Sequence, residues 1–226
     1  MALYGAILTR NEASLDRYLR SCLASMEGWA DKILVLDDGS TDETVEICEG
    51  FGAMVKRREL SVPAWGAEAS ARRELWEFAV EQCSSPRDWV VWADADMLLH
   101  GDPRPLCGSR DVNAWLWRLY DVWDSPATYR SDQFWRGHTI PRCWMCAPLR
   151  VPNGWQPSWD RDGLHVGHIP ASYPLMPGLA PDDVYYLHLG WMQEKHRLAK
   201  YEQYMAKKHL LSPPEVAHVE SILSPA

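Results

Sequence analysis

The sequence predicts an α/β fold built on a largely parallel sheet covered on both faces, and three features carry that reading. Four short apolar runs in the first hundred residues each suit a buried strand, helix-periodic stretches separate them, and the links are short. Leu3 to Leu8 is the first run. Leu15, Tyr18, Leu19, Cys22, Leu23 and Met26 then recur at helical spacing and give one apolar helix face. Ile33 to Leu36 is the second strand and ends in Asp37-Asp38-Gly39. Ser40 and Glu43 have capping-box spacing for a helix carrying Val45, Ile47, Cys48 and Phe51. Ala53 to Lys56 reads as a third strand, and Ala67 to Gln82 as a long helix. Trp89 to Ala93 is the fourth strand and runs straight into Asp94-Ala95-Asp96.

After Gly101 prolines and tryptophans multiply and regular periodicity fades. Ala114 to Tyr120 and Arg142 to Cys146 read as strands of a smaller mixed sheet, and 148–163 as a long loop. A helix is expected over 191–211, with Leu198, Tyr201 and Met205 inward, a Lys/Arg-rich outer face, and its end before Pro213-Pro214. No linker or internal repeat divides the chain, so 1–226 is expected to be one domain with segments 1–100, 101–190 and 191–226.

Composition narrows the function classes. The 226 residues are 46% apolar and 24% charged, which suffices for a buried core, and the net charge of −8 disfavours general coating of nucleic acid. Arg130, Arg136, Arg142 and Arg150 would alter that only by lining one cleft, and scattered surface positions are expected instead. No apolar run approaches the ~20 residues of a membrane helix, and the first residues read as a strand, not a signal peptide. A soluble cytoplasmic protein with reduced cysteines is therefore expected. Cys143 and Cys146 form a C-x-x-C without a second pair, so structural zinc is not expected there. Seven of the thirteen tryptophans fall between 115 and 159, and that clustering points to some of them lining a pocket, where indoles stack on sugars or bases.

In a parallel sheet, ligands sit beyond the carboxyl ends of the strands. Here those ends are Thr9-Arg10-Asn11-Glu12, Asp37-Asp38 and Asp94-Ala95-Asp96. Acidic groups from three strand ends repel one another, and a divalent cation that also binds phosphate, Mn2+ or Mg2+, makes their proximity tolerable. The string Asp37-Asp38-Gly39-Ser40-Thr41-Asp42-Glu43-Thr44, followed by an apolar strand ending in Asp-Ala-Asp, resembles the family 2 glycosyltransferases of GT-A fold. The resemblance covers 3–99 with specific motifs.

That resemblance implies a nucleotide-binding half over 1–100, an acceptor-side half over 101–190 and a C-terminal helical segment. Thr9, Arg10, Asn11 and Glu12 would approach the nucleoside. Of Asp37 and Asp38, one carboxylate would accept from the base or ribose, with Asp38 preferred. Arg72, in Ala71-Arg72-Arg73, would meet the nucleotide. Asp96 would bind the metal, and Asp94 the ribose or a metal-bound water. A further metal-ligating histidine is expected from the C-terminal part: His188, with His165 and His168 as rivals. The base for an inverting transfer is expected among Asp121, Asp124 and Asp132, flanked by Trp123, Tyr129 and Trp135, with Asp132 preferred. The implied function is metal-dependent transfer of a sugar from a nucleotide-sugar donor, preferably a UDP-sugar, to an acceptor hydroxyl. Acceptors in view are a glycan, a protein, a metabolite or a modified nucleobase. Retaining transfer, nucleotidyl transfer to a sugar phosphate and a non-catalytic binding module are the alternatives.

Overall fold

The computed structural model describes residues 1–58, 68–132, 134–135, 140–160 and 166–224. The strands β1 (Leu3–Thr9), β2 (Lys32–Asp37), β3 (Met54–Arg57) and β4 (Trp89–Asp94) run parallel in the order β3-β2-β1-β4. Successive side chains of a strand face opposite ways, and both faces of this sheet are covered. Leu3, Ile7, Ile33, Val35, Trp89 and Val91 pack on one side with Leu19, Cys22, Leu23 and Met26 of α1 (Leu19–Glu27). On the other side Tyr4, Ala6, Leu34, Leu36, Val90 and Trp92 meet Leu75, Trp76 and Ala79 of α3 (Glu68–Gln82). Trp76 and Trp92 stack there with centroids 5.2 Å apart. Double coverage explains why these strands read as unbroken apolar runs.

The second half does not form a separate sheet. Strand β7 (Arg142–Cys146) pairs antiparallel with β4 and with β6 (Ala114–Asp121), and β9 (Tyr185–His188) follows parallel to β6. The edge is β5 (Met97–His100), antiparallel to β9, while β8 (Pro177–Leu179) pairs with β6. One mixed sheet thus carries the chain from the β1 side to the C-terminal helices. No described helix is long and apolar enough to cross a membrane.

Three sequence expectations fail for local reasons. The first helix starts at Leu19 and Leu15 is exposed, because the Glu12 and Ala13 N–H groups bond Thr44 Oγ1 at 2.8 and 3.2 Å and hold the preceding link in turns. Ser40 and Glu43 form no capping box. Helix α2 (Thr44–Gly50) begins after them, and Ser40 Oγ accepts instead from the Asn11 N–H at 2.9 Å. The expected C-terminal helix is shorter, α4 (Glu194–Met205), and an unexpected second helix, α5 (Pro213–Glu220), follows it. Prolines 213 and 214 start the second, since a helix's first N–H groups need no intrahelical acceptor, and the Ser212 N–H bonds the Glu215 carboxylate at 2.8 Å.

The tryptophans mostly hold the structure. Trp155 and Trp159 donate to the carbonyls of Ser172 and Gly167, both at 2.9 Å, and staple the loop on which His168 sits. Trp123, Trp135 and Trp191 pack with Val219 and Ile222 beneath α4 and α5. Of the seven between 115 and 159, Trp144 alone lines the main cleft.

A candidate active site at the carboxyl ends of the parallel strands

Because β1, β2 and β4 are parallel, their carboxyl ends share one rim, and a cleft of about 1110 Å³ opens above it. Thr9, Arg10, Asn11, Glu12, Asp38 and Arg72 line it, as do Asp94, Asp96, His168 and His188. Asp37 does not. Its carboxylate is fully buried, accepts the Ser40 N–H at 3.1 Å and pairs with Arg57 Nε at 3.4 Å, so it shapes the turn. Asp38 sits on the cleft wall between Arg58 Nη1 at 2.5 Å and Arg10 Nη1 at 3.5 Å. Asn11, at φ 51°, receives the Thr41 N–H on Oδ1 at 2.8 Å and ties the two strand-end loops together.

The two aspartates after β4 have different surroundings. Asp94 Oδ1 accepts from Arg72 Nη2 at 2.8 Å and lies 3.0 Å from His168 Nε2. Burial works against its charge, but His168 and Arg72 outweigh it and hold the carboxyl well below the usual range. Asp96 Oδ2 lies 3.3 Å from His188 Nε2 and 3.0 Å from Lys200 Nζ. Burial is again overcome, here by Lys200 and His188, and Asp96 stays ionised far below its ordinary value. The other ring nitrogen of His188 is 2.7 Å from the fully buried carboxylate of Asp121. Burial opposes a charge on that imidazole, yet Asp96 and the bond to Asp121 raise its pKa to about 9.

Among the described residues no three His, Cys, Asp or Glu side chains converge as a ready-made metal cage. A divalent cation that keeps water and takes phosphate oxygens needs fewer protein donors. Asp96 and His188 meet that smaller requirement: their donor atoms lie side by side, and Asp121 orients the imidazole from behind, the usual arrangement around a metal-bound histidine. His168 is instead engaged by Asp94, and His165 lies outside the described residues.

Among the described residues four polar atoms of cleft-lining side chains are buried without a hydrogen-bond partner: Thr9 Oγ1, Glu12 Oε2, Arg72 Nη1 and Trp191 Nε1. Buried donors and acceptors are seldom left unmatched, and a polar ligand in this cleft would satisfy such atoms. Burial pushes Glu12 up to about 7, with Arg17 at 3.4 Å opposing it. A carboxyl raised by folding contributes stability that is whole below its ordinary pKa and is lost as pH rises through the folded value. Glu12→Gln is therefore expected to match the parent protein near pH 4.5 and to exceed it by about 1–3 kcal/mol at pH 8. Urea denaturation across that range measures this, and a difference independent of pH would refute it.

Asp132 is not brought to the cleft. Its carboxylate pairs with Arg130 Nε at 2.6 Å and accepts the Phe134 N–H at 2.9 Å. Despite some burial these partners keep its pKa low, so as placed it is a poor proton acceptor. The basic side chains do not share a cleft either. Arg142 lines it, Arg130 lies over Trp123, Arg150 bonds the Pro86, Ser109 and Val112 carbonyls, and Arg136 is outside the described residues.

Sequence reasoning missed Arg58 and Lys200, and it weighed Asp121 only as a base. The Lys/Arg-rich face of α4, expected to point outward, and the turn after it bring Lys200, Gln203, Tyr204 and Lys207 to the cleft. Their i, i+3, i+4, i+7 spacing was the available signal.

Residues 6–104 match the family described as Glycosyl transferase family 2. The uncharacterized protein Rv3786c of Mycobacterium tuberculosis is 29% identical over 206 residues, 84% of this chain and 47% of that one. Glucosyl-3-phosphoglycerate synthase of the same organism is 30% identical over 95 residues, 42% of this chain and 28% of the enzyme. The chain thus spans about half or less of the length of these curated relatives. Among solved structures, S. aureus TarS superposes on 99% of this chain and 42% of its own, with a TM-score of 0.54 and 17% identity. The M. tuberculosis synthase in complex with Mn2+, UDP and glucosyl-3-phosphoglycerate covers 53% of this chain and 44% of its own, with a TM-score of 0.38 and 23% identity. The fold is the GT-A fold.

Proposed function

We propose that this chain, whose residues 6–104 match glycosyl transferase family 2, is a metal-dependent glycosyltransferase that moves a sugar from a UDP-sugar to an acceptor hydroxyl. The observation that carries the proposal is the placement of Asp94, Asp96 and His188 on one cleft, with Asp121 fixing the His188 ring. The nucleotide and cation choices draw on the synthase related over 95 residues, whose structure contains Mn2+ and UDP.

In this reading Asp38 and the loop Thr9 to Glu12 meet the nucleoside, while Asp94, held by Arg72 and His168, accepts from the ribose. Asp96 and His188 hold Mn2+ or Mg2+, which when bound offsets the charge that develops on the departing diphosphate. Arg72 is already charged and buried at the cleft wall, and its unpartnered Nη1 is a donor for that same charge.

The stereochemical course is proposed as inverting, which needs a carboxylate to take the acceptor proton. One observation favours retention as a second reading: Asp132, the carboxylate expected to take that proton, does not line the cleft. NMR assignment of the product's anomeric configuration separates the two. The function itself is tested by incubating the protein with a panel of nucleotide sugars and following nucleotide release. UDP release that needs Mn2+ or Mg2+ and stops with EDTA is expected. Absence of both turnover and binding for every UDP-sugar would refute the proposal.

A further inference from the structure

Lys200 is a cation already placed at the atom that a metal would take. Its Nζ lies 3.0 Å from Asp96 Oδ2, the oxygen that also faces His188 Nε2. The side chain is largely buried, and its ammonium rests over the Trp191 ring at 4.3 Å from the centroid, so α4 and Trp191 together aim it at that carboxylate. We infer that Lys200 is a tethered counter-cation that keeps free divalent metal off Asp96 until a nucleoside diphosphate enters the cleft. The inference rests on the proposed function and adds an order of binding to it.

The physical reason is competition for one oxygen. A dication bound to Asp96 Oδ2 would stand within a few Å of an ammonium on the same atom, between two largely buried side chains where like charges repel more than in bulk water. Lys200 must therefore leave Asp96 when metal arrives. It sits on the cleft wall at the end of a flexible four-carbon stem, so a bound diphosphate gives its charge a new partner close by. Without nucleotide the displaced ammonium can turn only to cleft carboxylates such as Glu12, already paired with Arg17, and metal binding bears most of the cost of breaking the pair. Metal and nucleotide consequently favour each other, and the coupling runs equally in both directions.

Binding of Mn2+ alone, followed by loss of its free electron paramagnetic resonance signal, tests this without any turnover. Parent protein, Lys200→Met and Lys200→Gln are titrated with Mn2+ in the absence and presence of UDP, after circular dichroism has confirmed the fold of each. The parent is expected to bind Mn2+ weakly alone and much more tightly with UDP. Either neutral variant is expected to bind Mn2+ alone about tenfold more tightly than the parent, with a smaller gain from UDP. Lys200→Arg, which restores the charge, is expected to return Mn2+ binding toward the weak parent value. A merely structural lysine would not raise metal affinity on removal. Equal Mn2+ affinity in parent and neutral variants overturns the role of Lys200 while leaving the proposed function standing. Failure of every form to bind Mn2+, with or without UDP, overturns both.

Discussion

Asp96→Asn is expected to lower kcat/KM for sugar transfer by about 10³-fold while leaving the far-ultraviolet circular dichroism spectrum unchanged. The substitution keeps the shape of the side chain and removes its charge. Three things depend on that charge: the bond to Lys200 at 3.0 Å, the contact with His188 at 3.3 Å, and the affinity of the site for a dication. His188 keeps its bond to Asp121, and Lys200 keeps the Trp191 ring, so the surrounding structure retains its anchors. The stability cost is expected to be about 1–2 kcal/mol, the scale of a lost hydrogen bond to a charged group. Steady-state kinetics with urea denaturation check both halves. Parent-like activity would remove Asp96 from the chemistry.

Gly190→Ala is expected to be nearly as damaging, although the residue carries no functional group. A Cβ there would overlap Asp96 Oδ2 and Lys200 Nζ and stand 2.9 Å from His188 Nε2. The two overlapping atoms, of Asp96 and Lys200, end side chains that can retreat, so the fold is expected to survive with a loss of about 1 kcal/mol. The displaced atoms are the ones the site depends on, and a shift near 1 Å in such groups costs about 10²-fold in rate. Chain connectivity sharpens the effect, because the neighbouring Leu189 N–H donates to the Asp96 carbonyl at 2.8 Å and fixes the segment against the strand end. The expected signature is a fall in kcat/KM of about 10²-fold with a small change in the urea midpoint. Unchanged kinetics would mean that Asp96, Lys200 and His188 need not be close together.

The parallel half of the sheet and its acidic rim were legible because their signals are local. An apolar run buried on both faces, as at Trp89 to Ala93, marks a strand and its end without knowledge of what packs on it. The placement of Asp38 and Asp94 at the cleft follows from that and from the parallel direction alone. The rest depends on contacts between distant segments. Ser40 has the right spacing for a cap but bonds Asn11 across 29 positions, which no local pattern records. The strand Tyr185–His188 is four residues long and is defined by pairing with Met97–His100 and Ala114–Asp121. Lys200 reads as a surface residue because helix periodicity identifies faces without saying what each one meets. The tryptophan cluster misled for a related reason: the same indole that stacks on a sugar also fills a core and caps a loop carbonyl, as Trp155 and Trp159 do.

The central claim is that the carboxylate and imidazole at the end of the parallel strands hold a divalent cation against a nucleoside diphosphate. Anomalous diffraction at the manganese edge, from crystals grown with Mn2+ and UDP, tests it most directly. The account predicts one strong peak about 2.1 Å from a carboxylate oxygen of Asp96 and from Nε2 of His188, with the diphosphate completing its shell. A manganese peak elsewhere, or UDP bound away from Asp94 and Asp96 with no metal beside it, would contradict the account.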